Sequence, residues 1–101
     1  MEKDKDVAEK KEIPIAFPEH LKGGVYCNNM VVRHTKEEFI MDFMMIAPPA
    51  NIVTARVIMS PGHMKRTVEA LKSNMERYEQ NIGKITEAPE PSKGSIGFHK
   101  T

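Results

Sequence analysis

Tryptophan is missing from these 101 residues, and cysteine occurs only once. A lone cysteine, Cys27, cannot form a disulfide within the chain, which predicts a reducing, cytoplasmic location. No apolar run approaches the roughly 18 residues that a membrane helix requires, so we expect no membrane partner. The charged first residues also lack the apolar stretch of a signal peptide. These absences point away from secreted and membrane proteins.

A large excess of charge of either sign is also missing. Lysine and arginine number 15 against 14 acidic residues, which gives a formal net charge of +1. So small a net charge creates no global field that would pull the protein onto nucleic acid or a membrane surface. With 40% hydrophobic and 29% charged residues, the chain has the composition of one ordinary globular domain.

Both ends of the chain lack a periodic apolar pattern. We predict a flexible N-terminal tail over residues 1–22, a folded domain over 23–85, and a flexible C-terminal tail over 86–101 that is rich in proline, glycine and serine. Within the first tail, the prolines of the Ile13–Pro18 stretch favour an extended conformation. Its apolar side chains are suited to a sheet edge or to a partner.

Three strands are indicated between the tails. The first runs from Val25 to His34, the second from Glu38 to Ala47 and the third from Ile52 to Met59. The links between them are short and either polar or rich in proline, which predicts an antiparallel meander with the second strand in the middle. That strand is apolar at almost every position, as is typical of a strand buried on both faces.

A long helix follows the third strand. Ser60 is a suitable N-cap, Pro61 suits the first helical position, and Gly83 predicts a left-handed stop. Between them apolar residues recur every three or four positions and form one stripe, here called the helix stripe: Met64, Val68, Leu71, Met75, Tyr78 and Ile82. The predicted fold is therefore α+β, a three-stranded antiparallel meander followed by one long C-terminal helix (βββα).

This fold predicts a homodimer. One helix can cover only one face of the sheet, yet the middle strand is apolar on both faces. A core of this size without disulfides holds only about 3–5 kcal/mol of stability, and pairing with a second copy is the simplest way to bury the second face. The alternative is that Ile13, Ile15 and Phe17 fold back over that face as a cover.

A resemblance to a known family supports the limits of the folded domain. The residues that carry it are Arg56 to Arg66, Ala70-Leu71, Asn74, Arg77 to Glu79 and Gly83 to Ile85. The stretch from Val25 to Ile85 resembles short bacterial and archaeal proteins catalogued as domain of unknown function 3467. The resemblance implies no activity, cofactor or catalytic residue.

No spacing in the chain forms a catalytic or metal-binding set, so we expect no enzyme activity, no metal and no cofactor. The four histidines lie far apart, and no Cys-x-x-Cys or His-x-x-x-His pair occurs. Cys27, on the first predicted strand, is expected to be a small buried hydrophobe. Asp42, an acid within an apolar strand, must pair or shift its pKa. Arg56 and Arg33 are its expected partners in a structural ion pair.

The start of the helix is a candidate anion or phosphate site. Free backbone N–H groups, a small glycine and nearby positive charge suit an anion there, and the residues concerned are Ser60, Gly62, His63, Lys65 and Arg66. A plain capping motif with solvated basic side chains explains the same residues.

The functional hypothesis is a small non-enzymatic, dimeric interaction module that binds another protein. The alternative is a nucleic-acid-binding protein. In that alternative Arg33, Arg56 and Lys72, together with the basic residues of the helix start, contact phosphates.

Overall fold

A computed structural model describes residues 11–91 and 94–99. The secondary structure consists of strands β1 (Asn29–His34), β2 (Phe39–Met45) and β3 (Ile52–Met59), then one long helix, α1 (Pro61–Asn81). A single 3-10 turn, Glu19–Leu21, precedes the sheet. The three antiparallel strands followed by one C-terminal helix confirm the predicted βββα fold. Among the described residues, no helix is both long and apolar enough to cross a membrane.

The sheet has the order β1-β2-β3, with both pairs antiparallel. Side-chain hydrogen bonds close its two turns. The Thr35 hydroxyl oxygen accepts the backbone N–H groups of Glu37 and Glu38, each at 3.1 Å. Beyond β2, the side-chain oxygen of Asn51 accepts the N–H of Ala47 at 3.0 Å. Two short links, the first polar and the second rich in proline, therefore make the meander, as the sequence predicts.

The first strand begins at Asn29, four residues later than predicted. The reason is Asn28, whose side-chain amide makes the hydrogen bonds to Ile46 that the backbone of a longer β1 would make. Its oxygen accepts the N–H of Ile46 at 2.8 Å, and its nitrogen donates to the carbonyl of the same residue at 3.0 Å. Because a side chain makes these bonds, the backbone before it is free to leave the sheet. Cys27 is consequently exposed, and the prediction of a buried strand cysteine is wrong.

The core of the subunit lies on β2. Among the described residues, Met41 and Met44 are the buried hydrophobic side chains, and they point to opposite faces. We call the face that carries Met44 and Asp42 the Asp42 face, and the other the Met41 face. The prediction that the middle strand is buried on both faces is therefore confirmed at its centre.

Helix α1 begins as predicted. The Ser60 hydroxyl oxygen accepts the N–H of His63 at 3.2 Å, and Pro61 occupies the first turn. At the other end, the carbonyl of Tyr78 accepts the N–H groups of Ile82 and Gly83. Gly83 has a φ of 159°, which is more extended than the left-handed conformation that the sequence predicts.

The helix does not cover a face of the sheet, and this corrects the expected packing. None of the residues of α1 is buried, and the helix makes little contact with the strands. One contact is a hydrogen bond at the junction from the Thr67 hydroxyl to the sulfur of Met59, at 3.4 Å. Only Ser60 separates β3 from α1, so no loop is available to reverse the helix over the sheet. The radius of gyration, 18.3 Å, exceeds the roughly 13 Å of a compact chain of this length.

The N-terminal segment, the other predicted cover of the sheet, does not pack on it either. Ile13, Ile15 and Phe17 are exposed rather than folded over the sheet. Part of the predicted C-terminal tail lies there instead: the ring of Phe98 stacks on the guanidinium of Arg33, 5.7 Å from its centroid. Residues 95–99 line a cavity on the Asp42 face together with Met44 and Val53 of the sheet and Ile46, which directly follows β2.

Candidate interaction surfaces

A cluster of one acid and two arginines lies on the Asp42 face. Asp42 pairs directly with Arg56 of β3, and the guanidinium of Arg56 binds both carboxylate oxygens, at 2.6 and 3.0 Å. Arg33 of β1 donates to one of the same oxygens at 2.7 Å. All three side chains project from the same face because the strand registers align them. The predicted ion pair is confirmed, with both candidate partners engaged at once.

The two arginines also determine the ionisation of Asp42. The hydrogen bonds from Arg56 hold the pKa of Asp42 below its usual value, and the hydrogen bond from Arg33 acts in the same direction against the opposing effect of burial. Asp42 also raises the pKa of Arg56. The arginines therefore keep the carboxylate ionised, and because it is 0% exposed it is shielded from solvent. A proton acceptor for catalysis needs the opposite properties, a raised pKa and access to substrate.

This pairing affects two of the predicted nucleic-acid contacts. Arg33 and Arg56 remain about half exposed, but their charges are turned toward Asp42, and the cluster as a whole carries one net positive charge. Lys72 is on α1, a separate element from the sheet. The structure thus gathers the two arginines into one cluster and leaves Lys72 on the exposed helix.

The residues of the predicted anion site form the N-terminal cap of α1. Ser60 accepts the N–H of His63, and Pro61 has no N–H to offer. Arg66 donates from its guanidinium to Nδ1 of His63 at 2.9 Å, and a Cβ at Gly62 would meet no atom within 4 Å. Lys65 is exposed. These residues do lie together, but their polar groups are directed at one another, as a capping motif requires. Ligand binding here stays a prediction.

The helix stripe is an apolar feature that the subunit leaves open to solvent. Its members from Val68 to Ile82 are between 42% and 72% exposed. After the helix the chain turns back, held by a hydrogen bond of 2.9 Å from the N–H of Ile85 to the carboxylate of Glu79. Ile85 then shares a shallow recess with Leu71, Asn74, Met75 and Tyr78. Ile85 thus adds an apolar side chain beside Leu71, Met75 and Tyr78 of the stripe.

Comparison with known families decides the classification. A family model described as "Protein of unknown function (DUF3467)" matches residues 1–87. The chain belongs to this family. Membership confirms the resemblance seen from Val25 to Ile85 and extends it to the first residue, so the N-terminal segment is part of the DUF3467 region while residues 94–99 lie beyond it. No curated protein and no solved structure significantly matches the chain.

Metal binding has no visible basis in residues 11–91 and 94–99, where no three His, Cys, Asp or Glu side chains are grouped as ligands.

Sequence reasoning missed two features of the surface. One is the Asn28 side-chain amide, and the other is the return of Ile96 and Phe98 to the sheet. The alternation of these two apolar residues in the Gly-Ser-Ile-Gly-Phe stretch is the signal that could have revealed the second.

Proposed function

We propose that this protein is a non-enzymatic interaction module that acts as a homodimer, with the helix stripe at the subunit interface. The observation that carries the proposal is that α1 buries none of its residues although it presents a continuous apolar stripe. Burying a large apolar side chain stabilises by about 1.5–3 kcal/mol. Several half-exposed ones therefore provide a strong drive to associate.

Charge along the stripe favours a second copy as the occupant. Lys65, Lys72 and Glu79 follow one another at intervals of seven residues on one flank, and residues so spaced share a side of a helix pair. In an antiparallel pair centred on Lys72, Lys65 of one copy approaches Glu79 of the partner subunit, and symmetry repeats the contact. These two attractive contacts outnumber the single repulsive one, in which the two Lys72 side chains face each other. A parallel pair offers no such match. Twofold pairing is also the commonest closed arrangement of identical chains.

The test is the mass of the protein in solution. Sedimentation equilibrium at micromolar concentration should give twice the 11.4 kDa chain mass. Leu71→Glu places a carboxylate in the interface and should weaken the dimer by about ten- to a hundredfold, because burying an unpaired polar group costs about 1–3 kcal/mol.

Ser73→Glu is the matched control, since it adds the same charge to the opposite, polar side of the helix. It should dimerise as the original chain does, and circular dichroism should show that both variants remain folded. A monomer at every concentration, or a Leu71→Glu variant that dimerises normally, would contradict the proposal. The nucleic-acid alternative predicts instead that the chain binds duplex DNA with an affinity that falls steeply as salt rises.

A further inference from the structure

The last described residues of the chain lie against the Asp42 face of the sheet. We call residues 95–99 the tail segment. Its two large apolar side chains, Ile96 and Phe98, both line the cavity on that face. Of the described residues after Gly83, Ile96 is the one that is not exposed, and the ring of Phe98 lies on the guanidinium of Arg33. Two side chains therefore seat the tail segment on the sheet.

The tail segment is held without hydrogen bonds to any other described residue. Its backbone forms no strand beside the sheet, and it takes no part in the backbone bonds that close the turns and caps. The ring of Phe98 also remains 48% exposed. A segment with few buried apolar contacts and no backbone pairing separates from its surface at a low cost in free energy. The tail segment is thus a detachable cover of the sheet.

The tail segment does not fill the space between itself and the sheet. The cavity there is half open and has a volume of about 680 Å³, within the roughly 300–1,000 Å³ of sites that bind ligands. Its sheet side is apolar and consists of Met44, Ile46, Ile52 and Val53. A methionine side chain adapts its shape to what it contacts. The sheet side therefore offers more apolar surface than the tail segment uses.

The two sides of the cavity differ in their relation to the family. The apolar sheet side lies within residues 1–87, which the family model matches, whereas the tail segment lies beyond them. The matched region itself thus supplies an apolar surface bordered by the half-exposed guanidinium of Arg33. A planar guanidinium beside apolar side chains suits an aromatic ring, and the tail segment shows how a peptide can place one there.

We infer that this cavity docks an extended peptide segment of another protein, and that the tail segment is a substitute ligand which this partner displaces. The partner segment carries two large apolar side chains two residues apart, the second of them aromatic, because the tail segment is seated with that spacing. The aromatic ring lies on Arg33, and the first side chain fills the cavity beside Met44. The site is within one subunit, so the inference adds a partner site to the proposed module without resting on the homodimer.

The unfilled volume explains how a partner can displace the tail segment. A ligand tethered to its own site has an effective concentration of about millimolar, which a free peptide must overcome. Burying more apolar surface is the means to do so. A partner with a bulkier first side chain than Ile96 therefore binds in preference to the tail segment.

The first test titrates the unmodified, isotope-labelled chain with a synthetic peptide that has the sequence of residues 94–99. At millimolar peptide the NMR amide signals of Met44 and Val53 should shift, and those of Gly97 and Phe98 should move as the tail segment leaves. A peptide with phenylalanine in place of its isoleucine should bind at least about threefold more tightly, because it fills more of the cavity. A peptide with alanine in place of both large side chains should cause no shift.

A substitution in the tail segment gives a second readout. Phe98→Ala unseats the tail segment and should lower the dissociation constant of the same peptide about tenfold, since a site that is covered about nine-tenths of the time loses that factor in apparent affinity. Phe17→Ala is the matched control, because it removes the same ring from a position that is 64% exposed and does not line the cavity. It should leave the constant within about twofold. Circular dichroism and urea midpoints should show that both variants remain folded.

Several results would overturn the inference. One is the absence of shifts at Met44 and Val53 in both the unmodified chain and a folded Phe98→Ala variant. Another is peptide binding that leaves the Gly97 signal unchanged, and a Phe98→Ala chain that fails to fold would make the tail segment part of the core. Tail signals that move with protein concentration alone would assign the cavity to the tail of a second copy. The proposed dimer fails separately, because Leu71→Glu should alter the mass and leave peptide binding within about twofold.

Discussion

The centre of β2 and the stripe of α1 distribute polarity in opposite ways. On β2 a carboxylate, Asp42, is completely buried, whereas on α1 an apolar side chain, Leu71, is 62% exposed. The acid tolerates burial because two arginines satisfy both of its oxygens. Nothing described in the chain does the same for the leucine. The sheet therefore satisfies its buried charge within one subunit, whereas the helix leaves its apolar stripe exposed to solvent.

The largest expected effect is the loss of stability when the acid of the sheet, Asp42, is removed. Asp42→Ala leaves Arg33 and Arg56 without their shared acceptor and should lower the free energy of unfolding by about 2–3 kcal/mol, a large fraction of what a core this small can hold. Urea titration followed by circular dichroism measures it. Glu37→Ala, the loss of an equal charge in the exposed β1–β2 turn, should change the unfolding midpoint little. Equal midpoints for the two variants would show that the cluster is not structural.

Low pH should remove the same stabilising contribution of Asp42 in the unmodified chain. The pKa of Asp42 is lower in the folded state than in the unfolded state, so its contribution is fully present above the unfolded pKa, about 4. It declines as the pH falls from there through the folded pKa. Urea midpoints at pH 7 and 5 should therefore differ little on this account, and the midpoint at pH 3 should be lower. Asp42→Ala should show a shallower decline between pH 5 and 3, and an equally steep one would assign the acid sensitivity to other groups.

The smallest of these effects concerns the junction where the two regions meet. Ser60→Ala removes the acceptor for the N–H of His63 and should cost about 1 kcal/mol. Because α1 is not packed on the sheet, the cost should appear as faster amide exchange in the first helical turn, while the amides of β2 change little. The joint change Lys65→Ala and Arg66→Ala, on exposed charges, should barely alter stability. Uniform loss of protection across the sheet and helix would mean that the two regions unfold as one unit.

Local patterns in the sequence predicted the elements, and local chemistry explains why. The bounds of β3 and the start of α1 agree with the prediction because alternation, Ser60 and Pro61 act within a few residues of their position. The partners of Asp42 were also predictable, since strand order in a meander determines which residues are neighbours. The start of β1 was not, because Asn28 replaces a backbone pair with its side chain.

Packing between elements was the harder part. An apolar stripe shows that a helix buries one side, but it does not say against what. The single residue between β3 and α1 directs the helix away from the sheet, and loop length of this kind is easily overlooked when amphipathicity is read alone. Phe98 was missed for a related reason, because its glycine-rich surroundings are typical of an unpacked tail.

The extended shape of the subunit has a practical consequence for anyone who handles it. With dimensions of 61 × 34 × 33 Å, a single chain tumbles and diffuses like a larger sphere. A gel-filtration column calibrated with compact standards will therefore elute the monomer early and give too high a mass. Elution volume alone cannot count subunits for this molecule, whereas light scattering, which measures mass without reference to shape, can.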